Sequence, residues 1–259
     1  MTTDNERKKI LAFVDFDDTL VVSAINFWKN YAEFMVWLYG EIAMEKGDNP
    51  FSHTPTIHEA LSTLETFESQ YLSELGYCPE RMQKSFVMTM STFGLEITKE
   101  RSMAAEDFSN APFDAPLTLS NRIETALKRL HEFARVIIWT RGHAHVQEKR
   151  ILSVGVCDYI DGIHALHDKN VENLAEVVKQ CSKDMEVKNT EIWMVGNSIE
   201  HDVLPAMNLG INAILVGASE NSANFFKSFI AVADFTEAVD IILGEGKYEG
   251  CRTMTKMFK

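Results

Sequence analysis

Continuous apolar runs of strand length recur along the chain: "ILAFV" at 10–14, "ARVIIWT" at 134–140, "EIWMVG" at 191–196, "INAILVG" at 211–217 and a weaker "FIAV" at 229–232. Alternation of apolar and polar positions would mark strands with one wet face. Unbroken runs instead mark strands covered on both faces, as in a parallel sheet. Between the runs lie helical patterns. "SNRIETALKRLHEF" carries Ile123, Leu127 and Leu130 on one face, with Asn121 and Glu124 as a cap pair, and "HVQEKRILSVG" and "NVENLAEVVKQC" repeat the theme. "YIDGIHALHD" reads as a short strand or loop between two of these helices. After Gly196 the chain enters a helix that takes Pro205 in its first turn and stops at Gly210. From 120 to about 240 the chain is therefore an alternating α/β unit.

Residues 22–112 follow a different pattern. "SAINFWKNYAEFMVWLYGEIAM" places Phe27, Tyr31, Phe34 and Leu38 at helical spacing. "TPTIHEALSTLETFESQYLSEL" opens with Thr54 as a cap residue and Pro55 in the first turn. "PERMQKSFVMTMSTFG" starts at Pro79 and ends at Gly94, and a shorter helix covers "TKERSMAAEDF". The aromatic stripe is helix-packing core, Met82, Met88 and Met90 fill gaps in it, and Trp28 and Trp37 lie off the stripe. The simplest organisation is an α/β core of residues 1–22 and 113–259 with a helical domain, 23–112, inserted after the first strand. Hinges are expected at Val21 to Ser23 and in "SNAPFDAPL" (109–117).

The 259 residues suffice for this arrangement without staples. A net charge of -13 argues against a nucleic-acid or anionic-membrane surface, since either needs a basic field. Cys78, Cys157, Cys181 and Cys251 show neither metal-like nor disulfide-dense spacing, so reduced thiols and a cytoplasmic location are expected. The opening "MTTDNERKK" leads into too few apolar residues for a signal peptide, and no run reaches membrane-spanning length. The tail "YEGCRTMTKMFK" and the oligomeric state are left open.

The first apolar run ends in concentrated negative charge: Asp15, Asp17 and Asp18 fall within four positions. Ligands of open parallel sheets bind at the carboxyl ends of the strands. Carboxylates crowded at such an edge repel one another, and a divalent cation is the usual remedy. Oxygen ligands of this kind suit Mg²⁺, which is typically held by one or two carboxylates together with a phosphate.

"DFDDT", Asp15 to Thr19, resembles the DxDxT signature of the haloacid dehalogenase-like hydrolase superfamily, most of whose members are Mg²⁺-dependent phosphatases. The family's other signatures follow in order: Thr140 closing "VIIWTRG", Lys169 in "LHDKNVENLAEVV", and Gly196, Asn197 and Asp202 in "MVGNSIEHDVLPAMNLG". The resemblance extends from 10 to about 243. It implies an α/β, Rossmann-like parallel-sheet core with an inserted helical cap of the C1 type. It also implies a phosphomonoester hydrolase acting on a small phosphorylated metabolite.

On that resemblance Asp15 is the nucleophile and a metal ligand. Asp17 is the acid/base, with its backbone carbonyl on the metal. Thr140 and Lys169 hold the transferring phosphoryl oxygens, and Asn197 and Asp202 complete the Mg²⁺ site. Lys149 competes with Lys169 for the phosphate role. Asp18 is read as the structural partner of the turn, Thr19 as a hydrogen-bonding residue of the loop, and Ser23, Asn26 and Arg141 as candidates for touching the leaving group. Asn197 departs from the family pattern, which has aspartate there, and so predicts weaker metal binding. The alternatives are a dehalogenase, which would not need Asp17, a phosphomutase, a phosphonate hydrolase with a Schiff-base lysine at Lys29 or Lys84, and a weakly active or inactive binding protein on the same scaffold.

Overall fold

The structure is a computed structural model that describes residues 9–46, 54–217 and 229–245. Cys251 and the tail "YEGCRTMTKMFK" lie outside the described residues. The apolar runs form a parallel six-stranded sheet: β1 (Ile10–Val14), β2 (Ala134–Arg141), β3 (Gly162–Leu166), β4 (Ile192–Gly196), β5 (Asn212–Val216) and β6 (Ile230–Val232), in the order β3-β2-β1-β4-β5-β6. The "YIDGIHALHD" segment thus contains a strand, β3. The first strand in sequence lies at the centre, with Val14 paired to Ile138 on one side and Val195 on the other. The carboxyl ends of β1, β2 and β4 consequently meet at one edge.

Both faces of the sheet are covered, which is why the strands read as unbroken apolar runs. One face sends Ala12, Val14, Val136, Ile138, Val195 and Ile214 against Leu127 and Leu130 of α5 (Asn121–Phe133) and Phe235 and Val239 of α9 (Phe235–Ile242). The other sends Leu11, Phe13, Ile137, Trp139 and Met194 against Leu174 and Val177 of α7 (Val171–Cys181) and Ala206 of α8 (Leu204–Leu209). A further core helix, α6 (Ala144–Ser153), follows β2. This is a Rossmann-like α/β core. α8 carries Pro205 in its first turn and ends at Gly210, whose left-handed φ of 74° closes the helix.

The chain divides into two compact units, Met1–Val22 with Leu117–Lys259, and Ser23–Pro116. The described residues of the second form α1 (Ala24–Lys46), α2 (Ile57–Leu75), α3 (Pro79–Thr92) and α4 (Lys99–Asp114). Its core joins Phe34 and Phe86, with ring centroids 4.1 Å apart, to Phe108 and Trp37. Met82 and Met90 are buried in it, Met88 is more exposed, and Trp28 lies open to solvent.

Three local features differ from the sequence reading. The cap of α2 is Thr56, which forms a reciprocal capping box with Glu59, so Thr54 and Pro55 lie outside the helix. The cap of α5 is Ser120, whose hydroxyl accepts from Ile123 N, and Asn121 is the first helical residue. α4 runs on through Pro112 to Asp114, taking up much of the segment read as a hinge. Burial of Pro112 and Phe113, the latter edge-on to Phe27 at 5.2 Å, holds this last turn in helical form. The helical unit accordingly ends at Pro116 instead of residue 112.

Candidate active site

Beyond Val14 the chain leaves the sheet in a tight loop. Asp15 N donates to Val195 O at 2.8 Å, extending the β1–β4 pairing by one residue and fixing Asp15 beside the end of β4. The carbonyl of Phe16 then accepts from Leu20 N and Val21 N, while Asp18 N donates to Val21 O. Asp18 takes a left-handed φ of 57°, a conformation that aspartate tolerates better than most residues, in keeping with its reading as a turn residue. Thr19 Oγ1 donates to Asp15 Oδ2 at 3.0 Å.

The other oxygen of Asp15 accepts from Lys169 Nζ at 2.7 Å. Lys169 leaves β3 and immediately precedes Asn170, the N-cap of α7, so strand and helix together carry its ammonium back to the strand edge. Its Nζ also lies 2.5 Å from Asp202 Oδ1, and all three side chains are buried. Burial pushes the Asp15 carboxyl up to about 7, against the pull of Lys169 and with the help of Asp202. For Lys169 burial works against the charge, but Asp15 and Asp202 outweigh it and hold its pKa above the ordinary lysine value. Lys149, the other lysine considered, is exposed on α6.

Asp202 sits in a π-helical turn, Ile199–Val203, and accepts from Ser198 N through Oδ2 at 3.0 Å. The turn brings its carboxylate against Gly196, where any Cβ would collide with it. A glycine is therefore required at the end of β4 for Asp202 to reach Lys169. Asn197, between Gly196 and Ser198, is exposed.

Thr140, next to the end of β2, is buried, and its Oγ1 lies 2.8 Å from Gln147 Nε2. Asp17 is gripped through both oxygens by Arg150, at 2.9 and 2.7 Å, and receives a further hydrogen bond from Gln147 Nε2 at 2.9 Å. Gln147 and Arg150, one turn apart on α6, are residues that the sequence reading missed. The available signal was a helix whose inward arc sets these two polar groups beside Ile151. Arg141 Nη1 lies 2.8 Å from His201 Nε2. A guanidinium can only donate, so that ring nitrogen accepts, and burial, followed by Arg141, lowers the His201 pKa.

Asp15, Asp17, Thr140, Lys169 and Asp202 thus converge at one edge of the α/β unit, while Ser23 and Asn26 belong to the start of the helical unit. The arrangement offers a buried carboxylate with a cation beside it, a second carboxylate two residues on and a strand-end hydroxyl. Among the described residues no helix is long and apolar enough to cross a membrane.

A family model for haloacid dehalogenase-like hydrolases matches residues 11–216. No curated protein matches the chain. Among solved structures, a haloacid dehalogenase-like family hydrolase from Xanthomonas campestris superposes with a TM-score of 0.71 at 21% identity, covering 92% of this chain and 93% of that one. The HAD-hydrolase YfnB of Bacillus subtilis, bound to magnesium, gives 0.62 at 13% identity over 92% and 100% of the two chains. An L-2-haloacid dehalogenase from Xanthobacter autotrophicus with chloropropionic acid covalently bound gives 0.59 at 13%, over 92% and 100%. At these identities the structural likenesses establish the fold alone.

Proposed function

The chain belongs to the haloacid dehalogenase-like hydrolase family, and on that premise we propose that it is a Mg²⁺-dependent phosphomonoester hydrolase that acts on a small phosphorylated metabolite through an aspartyl-phosphate. The observation that carries this reading is the buried Asp15–Lys169 pair at 2.7 Å, with Asp17 two residues beyond the proposed nucleophile. In the reaction, an oxygen of ionised Asp15 attacks phosphorus while Lys169 and the Thr140 hydroxyl meet the charge on the phosphoryl oxygens. Asp17 protonates the departing alcohol, then takes a proton from the water that cleaves the acyl phosphate. Asp17 also weighs against a dehalogenase, whose halide leaving group needs no proton.

The donor set fits Mg²⁺: hard oxygens from Asp15, the Asp17 backbone, Asp202 and the Asn197 amide, with two buried carboxylates sharing the Lys169 ammonium. When bound, the ion would offset the repulsion between these carboxylates and an incoming phosphate. The helical unit is read as a cap that favours small substrates. Neither lysine considered for phosphonate chemistry has a desolvated setting: the Lys29 side chain is 71% exposed and pairs with Glu33, and that of Lys84 is 42% exposed and pairs with Glu74.

The deciding experiment is Mg²⁺-dependent hydrolysis of p-nitrophenyl phosphate and a panel of phosphorylated metabolites by the wild type and Asp15→Asn. Chloride release from 2-chloropropionate runs in parallel. Turnover of phosphoesters that requires both Mg²⁺ and Asp15 supports the reading; halide release without phosphate release, or no turnover of either, overturns it.

A further inference from the structure

The buried polar pair on α6 has no place in the reaction as drawn so far, yet it touches two of the groups that perform it. Gln147 and Arg150 are 3% and 4% exposed. Burying a guanidinium and an amide within a ten-residue helix is costly unless they are paired; Arg150 Nε is buried without a hydrogen-bond partner, but the Nη groups and the amide make specific contacts. Arg150 Nη1 donates to Gln147 Oε1 at 2.6 Å. Because arginine has only donors, this contact determines which end of the Gln147 amide is oxygen. The NH₂ end must then face Thr140 Oγ1 at 2.8 Å, Asp17 Oδ2 at 2.9 Å and the Arg141 carbonyl at 2.9 Å.

Two consequences follow. An amide nitrogen has no lone pair to accept a hydroxyl proton. The two N–H of Gln147 are shared among three acceptors, Thr140 Oγ1 nearest, so the Thr140 O–H cannot donate to that nitrogen and is directed away from it. Meanwhile the carboxylate of Asp17 is held by a two-point fork from Arg150 and a third bond from Gln147, which leaves its plane little freedom.

We propose that Gln147 and Arg150 are positioning residues: they fix the direction in which Thr140 donates and the orientation from which Asp17 serves the leaving group. The inference rests on the phosphatase reading and adds the residues through which two of its groups are aimed. It assigns Gln147 the task of linking the phosphoryl-holding hydroxyl to the acid/base carboxylate, and Arg150 the task of orienting both Gln147 and Asp17.

The test uses the full chain with Mg²⁺ and a series of phosphate monoesters, from p-nitrophenyl phosphate, whose leaving group needs little protonation, to simple alkyl phosphates. The variants are Arg150→Met, Arg150→Lys, Gln147→Glu and Gln147→Met, each checked for cooperative thermal unfolding. For Arg150→Met and Gln147→Glu the expected result is a loss in kcat of about 10- to 100-fold on alkyl phosphates, a smaller loss on p-nitrophenyl phosphate, and KM changed by less than about threefold. Arg150→Lys, which keeps the charge without the fork, should fall between wild type and Arg150→Met. Gln147→Met, near in size and apolar, provides the folded variant if the charged substitution does not fold. Wild-type rates in folded variants, or equal losses for every leaving group, would overturn the positioning role. So would a crystal structure of Arg150→Met with Asp17 and Gln147 unmoved. A wild type that hydrolyses no phosphoester sinks the phosphatase reading itself, and the positioning claim falls with it.

Discussion

Lys169 Nζ stands 2.7 Å from Asp15 Oδ1, with both side chains almost wholly out of solvent. The same ammonium serves Asp202, so its removal leaves two buried carboxylates facing each other without a cation. Lys169→Met should destabilise the protein by about 3–5 kcal/mol, the usual consequence of breaking a buried pair from one side. Urea unfolding at pH 8 in the presence of a chelator measures it. A change below about 1 kcal/mol would mean that the lysine contributes little to holding the site together.

Stability should also depend on pH through Asp15. Burial raises its carboxyl from 3.8 to about 7, so between those values the folded state holds a proton that the unfolded chain has released. Stability contributed by the protonated form is therefore lost as pH rises through this window, and above it the full cost of a buried charge is present. Asp15→Asn removes that cost. In chelator the variant should exceed the wild type by about 1–3 kcal/mol at pH 8 and match it near pH 4, as read from melting curves across the range. An advantage independent of pH would point to packing rather than charge.

In the helical unit, Arg81 of α3 forms a buried ion pair with Glu68 of α2, whose carboxyl is raised by burial against the pull of Arg81. Arg81→Met and Glu68→Leu alone should each cost about 3–5 kcal/mol, and the double replacement much less than their sum, because only the single variants strand a charge. Hydrogen exchange of α2 and α3 amides reads the local effect. Additive losses would show that the pair is not coupled.

Gly196→Ala places a methyl group where the Asp202 carboxylate lies. The expected outcome is a fold destabilised by about 1–3 kcal/mol and a Mg²⁺ response in thermal shift that is weakened or abolished. An unchanged metal response would separate Asp202 from the ion.

Asn197→Asp adds a charged oxygen to the loop that presents Asp202. Apparent Mg²⁺ affinity should tighten without a necessary rise in kcat, since stronger ground-state binding does not lower the barrier. Calorimetric titration of the wild type, this variant and Asp202→Ala checks the loop. Identical affinities in all three would remove it from the metal site.

What was legible in the chain follows from what is local. Strands covered on both faces read as "ILAFV" and "ARVIIWT" because burial on either side demands the same residue type at every position. Asp15, Thr140 and Lys169 could be placed at the strand edge from the sequence because each lies where a strand ends or a helix is about to begin, positions that sequence alone can mark; Asp202 lies within a π-helical turn and was reached through the resemblance. Gln147 and Arg150 were not, because the group that accounts for their burial, Asp17, lies 130 and 133 residues away in the chain. The boundary at Pro116 escaped for a related reason. Proline at 112 reads as a break, and only packing of Phe113 on Phe27 shows that the helix continues past it. The choice between Asn121 and Ser120 as cap, or Thr54 and Thr56, turns on a shift of one or two residues between equally suitable side chains.

The central place of β1 has a consequence for how the protein is made. Its neighbours, β2 and β4, begin at Ala134 and Ile192, so the first of these strands waits for the whole helical insertion before one edge is paired, and for much of the α/β unit as well before the other is. Closing such long loops is slow, and an unpaired apolar strand is exposed to misassociation in the interval. The helical unit, whose contacts are nearer in sequence, is free to form first. The backbone bond from Asp15 to Val195 comes only afterwards, so the proposed nucleophile is among the last groups to be set in place. A nascent chain stalled before β4 would carry the DxDxT loop without the strand that anchors it.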